Sequence, residues 1–281
     1  MNALEIRNLT KNYNGFSLGP INLVLPSGCI MGFIGENGAG KSTTIKLILD
    51  LIKRDSGEIT ILGNSLDTRN IAMKEQIGVV LDESSFPENL KMHEIDAVLK
   101  NCYRTWDSNC FNKYCCKFAL PEKKAVREYS RGMKMKLAIA AALSHHSRLL
   151  ILDEATSGLD PVVRDEILDV FLEFIQDERN SIFLSSHIIS DLEKICDYIT
   201  FIHQGKLLFC EEKDILLDKY VVAKCTAEQY AALDPKAVVG TRKSSFGVDV
   251  LALRNQIPRN ILTDPASIED IMLYLVKEHQ V

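Results

Sequence analysis

The chain has 281 residues, of which 46% are hydrophobic and 25% charged, and its formal net charge is −5. This length and composition supply an ordinary soluble core, with room for one large α/β domain and a smaller one. The slight acidic excess gives no indication of a nucleic-acid or anionic-lipid partner.

Three further features of the sequence indicate its compartment. No apolar run approaches the roughly 20 residues of a membrane span, and Met1 to Arg7 carry no apolar core of a signal peptide. The eight cysteines include no C-x-x-C pair and no histidine at a zinc-like spacing, which predicts reduced thiols. We therefore expect a cytosolic chain, with docking on a membrane partner left open.

The first predicted elements are antiparallel strands within residues 3–24, where apolar and polar residues alternate and glycine and proline mark the turns. Tyr13 lies in one of these turns, upstream of the glycine-rich stretch described next. An aromatic ring at that place either stacks on an adenine or lies on the strand surface. Spacing alone does not choose between the two.

A nine-residue stretch after the next predicted strand is the strongest signal in the chain. Residues 29–34 are short and apolar, as in a buried strand, and residues 43–49 place apolar side chains on one helical face. Between them, GENGAGKST fits the phosphate-loop pattern G-x-x-x-x-G-K-[S/T] at every position. Its residues are Gly35, Glu36, Asn37, Gly38, Ala39, Gly40, Lys41, Ser42 and Thr43.

This stretch has the residue types that phosphate binding requires. Glycines let the backbone bend around a phosphate because no Cβ stands in the way. The backbone amides then point inward at a helix N-terminus, which carries about half a positive charge. Lys41 adds a cation for the β- and γ-phosphates, and the Ser42 hydroxyl is placed to ligate Mg²⁺. A glycine-rich turn that happens to end in Lys-Ser is the alternative, and the flanking strand and helix disfavour it.

Strands are predicted next at residues 56–63 and 74–83, the second ending in the carboxylates Asp82 and Glu83. Loops that follow strands are where α/β sheets place their chemistry. From about residue 88 to 146 the pattern becomes helical, with an aromatic-rich set between Trp106 and Leu120. The core of a helical subdomain explains that set better than a docking face, because apolar stripes usually face inward.

The segment that precedes the last helix of this region has a polar start. Ser130 can cap the helix, and the free amides from Arg131 to Met133 can bind an anion. On its own, the segment is better explained as a plain capped helix.

Residues 148–154 predict a buried strand that delivers Asp153 and Glu154 at its carboxyl end. Consecutive strand residues face opposite sides, so the two carboxylates can take different roles, one near a metal and one toward an attacking water. A purely structural pair is disfavoured, since buried carboxylates need partners or a metal.

Two further polar residues follow. Asp160 before Pro161 is a clean helix start, and this structural role is sufficient to explain it. Residues 181–186 predict a strand, with His187 just past its end, at the sheet edge that also holds Asp153. A lone histidine is usually structural, but this position makes His187 a candidate for a phosphate or water contact.

After about residue 214, strands at 221–225 and 247–253 and flanking helices predict a small appended α/β domain.

The order and spacing of these motifs resemble the nucleotide-binding subunit of ATP-binding cassette (ABC) transporters, over roughly residues 3–215. The resemblance implies an α/β fold: a P-loop NTPase (RecA-like) core with an antiparallel β subdomain and a helical subdomain at about 88–146. We accordingly assign residues 1–215 to a nucleotide-binding domain and 216–281 to a small C-terminal α/β domain. The resemblance also implies a head-to-tail dimer with ATP sandwiched between the subunits.

Nucleotide contacts are implied residue by residue. Tyr13 corresponds to the aromatic that stacks on adenine, and residues 35–43 to the phosphate loop. Ser130, Arg131 and Gly132 correspond to the signature that contacts the γ-phosphate bound to the partner subunit. Asp160 corresponds to the loop residue that crosses the dimer interface.

Catalytic roles are implied in the same way. Asp153 corresponds to the residue that positions Mg²⁺, together with Ser42. Glu154 corresponds to the general base that polarises water for in-line attack. His187 corresponds to the switch histidine that contacts the γ-phosphate, where Lys41 also acts. Asp82 stands where the family usually has glutamine; it can still ligate Mg²⁺, but as an anion it only accepts hydrogen bonds.

The signature also departs from the family's usual Leu-Ser-Gly-Gly-Gln, because residues 129–133 read Tyr-Ser-Arg-Gly-Met. Arg131 adds a cation near the partner's phosphates. Similar signatures, and a C-terminal extension, occur in the branch that resembles bacitracin-resistance and peptide-toxin export ATPases.

The resemblance implies an ATPase that uses ATP and Mg²⁺ and drives an exporter of peptide, antibiotic or lipid-like cargo. Its implied partners are a second ATPase subunit, identical or paralogous, and separate membrane permease subunits that hold it on the inner face of the cell membrane. Two alternatives stay open: a soluble regulatory ATPase uncoupled from transport, and a binding-only module in which Asp82 and Arg131 have disabled hydrolysis.

Overall fold

A computed structural model describes residues 1–66, 70–81, 86–244 and 247–278. Its contacts divide the chain into two compact units, Met1–Cys210 and Glu211–Val281, each of which is described by itself. Within the described residues, no helix is both long enough and apolar enough to cross a bilayer.

The first unit contains both strands and helices, interspersed along the chain. In order they are β1 (Asn2–Tyr13), β2 (Phe16–Pro26), β3 (Ile30–Ile34), α1 (Lys41–Ile48), β4 (Ser56–Ile61), β5 (Asn64–Ser65), α2 (Ile71–Lys74), β6 (Ile77–Val80), α3 (Met92–Cys102), α4 (Ser108–Lys117), α5 (Arg131–Leu143), β7 (Leu149–Asp153), α6 (Pro161–Phe174), β8 (Ser181–Ser186), α7 (Ile189–Ile195), β9 (Tyr198–His203) and β10 (Lys206–Glu212). A three-residue 3-10 turn, Val126–Glu128, precedes α5.

Two sheets form the frame of this unit. The first has the order β2-β1-β4-β5 and is antiparallel. The second has the order β10-β9-β3-β8-β7-β6, with parallel pairing from β9 through β6. Every residue of β3, β7 and β8 is buried, as expected for parallel strands covered on both faces.

The parallel pairing determines where the chemistry lies. β3, β8 and β7 are adjacent, so their carboxyl ends meet at one sheet edge. The phosphate loop follows β3, Glu154 follows β7 and His187 follows β8. Three motifs that are far apart in sequence are therefore neighbours in space. The α/β architecture with a parallel core and a separate antiparallel sheet agrees with the predicted fold class.

Three helices, α3 to α5, lie between β6 and β7 in the chain. Phe111, Phe118 and Leu120 of the aromatic-rich set are buried, so they form core rather than a docking face. The eight cysteines all lie within the described residues, and none of them forms a disulfide. Burial raises the pKa of the Cys115 thiol to about 12, which keeps that thiol protonated.

The second unit is a four-stranded antiparallel sheet with helices. Its elements are α8 (Lys213–Lys219), β11 (Tyr220–Cys225), α9 (Ala227–Ala231), β12 (Val238–Ser244), β13 (Gly247–Leu253), β14 (Leu262–Pro265) and α10 (Ile268–Glu278), with 3-10 turns at Pro235–Ala237 and Arg254–Gln256. The strand order is β12-β13-β11-β14. α10 packs on β12, where the backbone of Tyr274 comes so close to Gly240 that a Cβ there would lie 3.0 Å from its carbonyl oxygen.

Candidate active site

The phosphate loop is held from behind by the β9–β10 hairpin. The Gly205 N–H donates to the Ala39 carbonyl at 2.9 Å. A Cβ on Gly35 would lie 2.6 Å from the carbonyl oxygen of Ile202, so only glycine fits there. Gly40, with φ of +113°, ends the loop in a conformation that favours glycine and starts α1.

A cavity of about 450 Å³ opens in front of the loop. Its lining residues come from the loop and from three other parts of the first unit; they are Phe16, Glu36, Asn37, Gly38, Gly40, Lys41, Ser42, Thr43, Glu154, Ser157 and His187. The N-terminus of α1 faces this space, and its free amides favour an anion. A phosphate-rich ligand therefore matches both the shape and the charge of the cavity wall.

The aromatic residue on the cavity wall is Phe16, whereas Tyr13 is absent from the lining as the described residues form it. The two residues face each other across the β1–β2 hairpin. Tyr13 is about half exposed, and the Lys11 ammonium lies 5.4 Å from its ring centroid. The hairpin therefore presents one aromatic ring to the cavity and a second one beside a cation at its surface.

Lys41 is buried and reaches back over the loop. Its ammonium donates to the Gly35 carbonyl at 2.7 Å and to the Glu36 carbonyl at 3.4 Å. It also lies 3.4 Å from Oε1 of Glu154. The positive charge is thus fixed at the mouth of the loop by two carbonyls and one carboxylate.

Glu154 lies between a lysine and a histidine. Its Oε2 lies 2.6 Å from Nδ1 of His187, on the side of the carboxylate away from Lys41. Its backbone has φ of +54°, an uncommon value for a residue with a side chain. The Glu154 N–H donates to both the carbonyl and the hydroxyl oxygen of Ser185, each at 3.1 Å, and these bonds hold the residue in that conformation.

Asp153 and Ser42 supply the oxygen ligands that Mg²⁺ prefers. Asp153 is buried, and its Oδ1 accepts a hydrogen bond from the Ser185 hydroxyl at 2.6 Å, which leaves Oδ2 for another partner. The described residues contain no cluster of three His, Cys, Asp or Glu side chains spaced to hold a metal by themselves. One carboxylate and one hydroxyl nevertheless fit Mg²⁺, because this ion is usually completed by water and phosphate oxygens. Asp82, the third predicted ligand, lies outside the described residues.

The remaining predicted residues lie at two helix starts. Ser130 caps α5, accepting from the Met133 N–H at 3.2 Å, and Asp160 caps α6, accepting from the Val163 N–H at 3.1 Å. We call residues 130–132 the signature segment. Neither this segment nor Asp160 is among the residues that line the phosphate-loop cavity, insofar as the described chain forms it. The structure therefore brings Lys41, Glu154 and His187 together at the cavity wall, and the signature segment lies outside that wall.

Sequence reasoning missed several residues of this site. Ser185 holds both Asp153 and the backbone of Glu154, and Ser157 lines the cavity. His203, buried at the end of β9, lies with Nδ1 3.4 Å from Oε2 of Glu36 in the phosphate loop. The available signal was position: Ser185 lies near the carboxyl end of the strand predicted at 181–186, and His203 ends the apolar run that forms β9.

The arrangement has the parts of a phosphoryl-transfer site. The loop amides and Lys41 suit the bound phosphates, and the Asp153–Ser42 pair suits a divalent cation. Glu154, held by His187, is a carboxylate at the cavity wall that can take a proton from water.

Comparison with known proteins bears on this chemistry. The family model described as ABC transporter matches residues 18–157. The bacitracin transport ATP-binding protein BcrA of Bacillus licheniformis is 36% identical over 208 residues, covering 73% of this chain and 68% of that protein. The lantibiotic transport ATP-binding protein SrtF of Streptococcus pyogenes is 35% identical over 214 residues, with coverages of 75% and 91%. The Enterococcus faecalis BcrA is 34% identical over 276 residues, 92% of this chain and 89% of its own, so this similarity includes the second unit.

Solved structures agree on the fold. The ATP-binding subunit of an ABC transporter matches with a TM-score of 0.67 at 27% identity, covering 75% of this chain and 90% of that one. A dimeric ATP-binding cassette in a post-hydrolysis state, bound to ADP and Pi, matches with a TM-score of 0.66 at 22% identity, covering 74% and 98%.

Proposed function

The chain belongs to the ABC transporter family and is the ATP-binding subunit of a transporter, an ATPase, and from this premise we propose that it hydrolyses Mg-ATP at the phosphate-loop cavity to drive export. The observation that carries the proposal is the contact series from Lys41 through Glu154 to His187. This series supports the proposal because an ammonium, a carboxylate and an imidazole follow one another along the cavity wall, where a γ-phosphate and its attacking water would fit.

In this proposal Glu154 is the general base. One of its carboxylate oxygens faces Lys41 and the other faces His187, so the group is oriented before water arrives. Glu154 takes a proton from the attacking water, and Lys41 and His187 stabilise the charge that develops on the γ-phosphate oxygens. Tyr13 and residues 35–43 bind the rest of the nucleotide.

Asp153 and Ser42, with Asp82, would hold Mg²⁺. The bound ion would neutralise phosphate charge and orient the γ-phosphate for in-line attack. Ser185 contributes by fixing one oxygen of Asp153. The same serine holds the Glu154 backbone, so the proposed metal ligand and the proposed base share one support.

A second subunit would complete the site. Ser130, Arg131, Gly132 and Asp160 stand at helix starts that offer free amides, outside the cavity of their own chain. A head-to-tail pair, identical or paralogous, would bring these residues to the γ-phosphate on the partner. Association on ATP binding and separation after hydrolysis would then provide the mechanical step.

A membrane permease is the other proposed partner. An apolar groove of about 360 Å³ is lined by Ile48, Leu49, Leu51, Leu66, Met73, Lys74, Ile77, Val79, Leu81 and Tyr103. Leu51 and Val79 in this groove are exposed to solvent. Exposed apolar surface does not stabilise an isolated domain, whereas it is typical of a surface that binds a partner. We assign it to an apolar segment of the permease, which would hold the chain at the inner face of the membrane.

A charge in this groove tests the docking. Leu51→Glu should abolish co-purification with the permease while the isolated subunit keeps its ATPase rate, because the groove is separate from the cavity residues. Val98→Glu, which charges an exposed apolar position outside the groove, is the matched control. Retained co-purification of Leu51→Glu would contradict the assignment.

The cargo is proposed from the relatives. Two similar proteins are named as transport ATP-binding proteins for bacitracin and for a lantibiotic, which are peptide antibiotics. A peptide, antibiotic or lipid-like cargo is therefore favoured for this chain. A regulatory ATPase without a transporter is not favoured, since the similar proteins are transport subunits.

The decisive experiment replaces the proposed base. Glu154→Gln should lower kcat by about 100-fold or more, because a positioned general base contributes about 10² to 10⁴. ATP should still bind, and light scattering should show a dimer in Mg-ATP that is absent without nucleotide. Glu173→Gln, which changes a surface ion pair with Lys117, is the control. A Glu154→Gln chain that hydrolyses ATP at the wild-type rate would overturn the role of Glu154.

A further inference from the structure

Helix α5, which begins within the signature segment, and helix α6, which follows the turn after Glu154, begin side by side. A Cβ built on Gly132 in α5 would lie 3.3 Å from Cγ1 of Val163 in α6. One turn further along, the Lys136 ammonium pairs with the Glu166 carboxylate. Glycine at position 132 lets the first turns approach closely, and the ion pair continues the contact. The two helix starts are therefore held in a fixed relation.

Arg131 extends this contact to the turn that precedes α6. A Cβ built on Gly158 would lie 2.8 Å from Nη1 and 3.2 Å from Cζ of Arg131, so the guanidinium lies against the glycine. Gly158 also has φ of +68°, in the left-handed region that favours glycine. The left-handed backbone therefore favours glycine at position 158, and an alanine there would also have to displace the end of the Arg131 side chain.

The same turn, residues 155–160, starts at the proposed base. The Ser157 N–H donates to the Glu154 carbonyl at 3.0 Å, and Ala155 and Thr156 are buried. At its other end Asp160 caps α6. Because both ends are fixed and the interior is packed, a shift of the backbone at Gly158 also moves the backbone near Glu154.

We infer that Arg131 is a positioning residue: by packing on Gly158 of its own chain, it fixes the 155–160 turn and thereby the Glu154 carboxylate beside His187. This inference rests on the proposed role of Glu154 as base. It gives Arg131 an intramolecular task, whereas the sequence alone suggests only a cation near the partner's phosphates. The signature segment is then tied to the base of the same chain.

The two roles of Arg131 predict different results for lysine. A cation that acts on phosphate is largely preserved in Arg131→Lys, since an ammonium also binds phosphate as a point charge. Packing of a planar guanidinium on a backbone is not preserved, because lysine has neither the plane nor the fork. Positioning therefore predicts that Arg131→Lys behaves like Arg131→Ala.

The test is a double-mutant cycle on the full-length chain, with kcat, KM and melting temperature measured for Arg131→Ala, Gly158→Ala and the double variant. Arg131→Ala and Arg131→Lys should each lower kcat by about threefold to tenfold with KM for ATP unchanged, in the range of couplings between contacting residues. Gly158→Ala should cost less kcat when Arg131 is already alanine, because only backbone strain then remains. Lys134→Ala, which removes a neighbouring α5 cation that pairs with Glu88, should show no coupling to Gly158.

Melting temperature isolates the steric part. Gly15 has φ of +85° and no atom within 4 Å of a built Cβ, so Gly15→Ala measures strain alone. Gly158→Ala should lower the melting temperature more than Gly15→Ala does, and the excess should vanish in Arg131→Ala.

Additive effects of Arg131→Ala and Gly158→Ala in an active wild-type background would overturn the inference, as would wild-type kcat in Arg131→Lys. A wild-type chain that does not hydrolyse ATP would instead overturn the proposed function, and the two failures are therefore distinct.

Discussion

The candidate site has two halves: the phosphate-loop half, which is the cavity wall with Lys41, Glu154 and His187, and the signature half, which is residues 130–132 and Asp160. The two halves differ in how many of the groups needed to bind a ligand are brought together within one chain. In the first half, a cavity, a buried ammonium and a carboxylate held by a histidine come together after β3, β7 and β8. In the second half, the structure shows two capped helix starts, and among the described residues neither contributes to the cavity wall. The first half therefore forms a cavity within one chain. The second half would contact a nucleotide only if another subunit held that nucleotide.

Because of this difference, only some variants can be interpreted in a single chain. A change in the phosphate-loop half should alter nucleotide binding by a monomer. A change in the signature half should leave that binding intact and alter only turnover or dimer formation. Variants of Lys41 and Ser130 test this division, and each is compared with a matched change outside the site.

The largest effect is expected for Lys41→Ala. We expect kcat/KM to fall by about 1,000-fold, because a charge-assisted contact contributes about 1.5–3 kcal/mol to binding and a lost transition-state donor costs a further 10²-fold or so. ATP affinity, measured by calorimetry, should fall with it. Lys46→Ala is the control, since Lys46 lies on the same helix but is exposed. Unchanged ATP affinity in Lys41→Ala would contradict the phosphate-loop assignment.

A smaller effect is expected for Ser130→Ala in the signature half. Monomer affinity for ATP should stay at the wild-type value, while kcat falls by about tenfold through loss of one hydrogen-bonding group near the partner's phosphate. The same change removes a helix cap, so a drop in stability of about 1 kcal/mol is expected as well.

Thr226→Ala separates these two consequences. Thr226 caps α9 in the second unit in the same way, by accepting from the Gln229 N–H. Its loss should lower stability to a similar degree and leave turnover unchanged. If Ser130→Ala weakened ATP binding by the monomer, the division between the two halves would be wrong.

The positions of the phosphate-loop half in the fold could be predicted from the sequence because its motifs are local. Nine consecutive residues between a strand and a helix carry the loop, and apolar runs placed Glu154 and His187 at strand ends. Parallel pairing then brings such ends to one edge without further information. The antiparallel sheet and the helical region followed from the same periodicities.

The supporting contacts could not be predicted, because they join residues that are far apart in the sequence, and sequence separation does not indicate distance in space. Ser185 touches Asp153 across two strands, and Arg131 reaches Gly158 between two helix starts. In the second unit, β12 and β14 escaped prediction because their patterns are weak and polar. The hairpin that carries Tyr13 shows the same limit: spacing left the role of Tyr13 open, the resemblance assigned it to the adenine, and Phe16, which neither pointed to, lies on the cavity wall.

The smallest effects concern these two aromatic residues and separate base contact from loop support. A Cβ on Gly40 would lie 3.2 Å from Cζ of Phe16, so Phe16 packs on the loop itself. Phe16→Ala should therefore weaken the binding of both ATP and tripolyphosphate by about twofold to tenfold, which is the usual contribution of an aromatic contact.

If Tyr13 stacks on the base, Tyr13→Ala should weaken ATP binding to a similar degree and leave tripolyphosphate binding unchanged, because that ligand has no base. Titration of both ligands into both variants gives four affinities. Equal losses for ATP and tripolyphosphate in Tyr13→Ala would mean that Tyr13 supports the hairpin rather than the adenine, and Phe16 would then be the remaining aromatic candidate for the base.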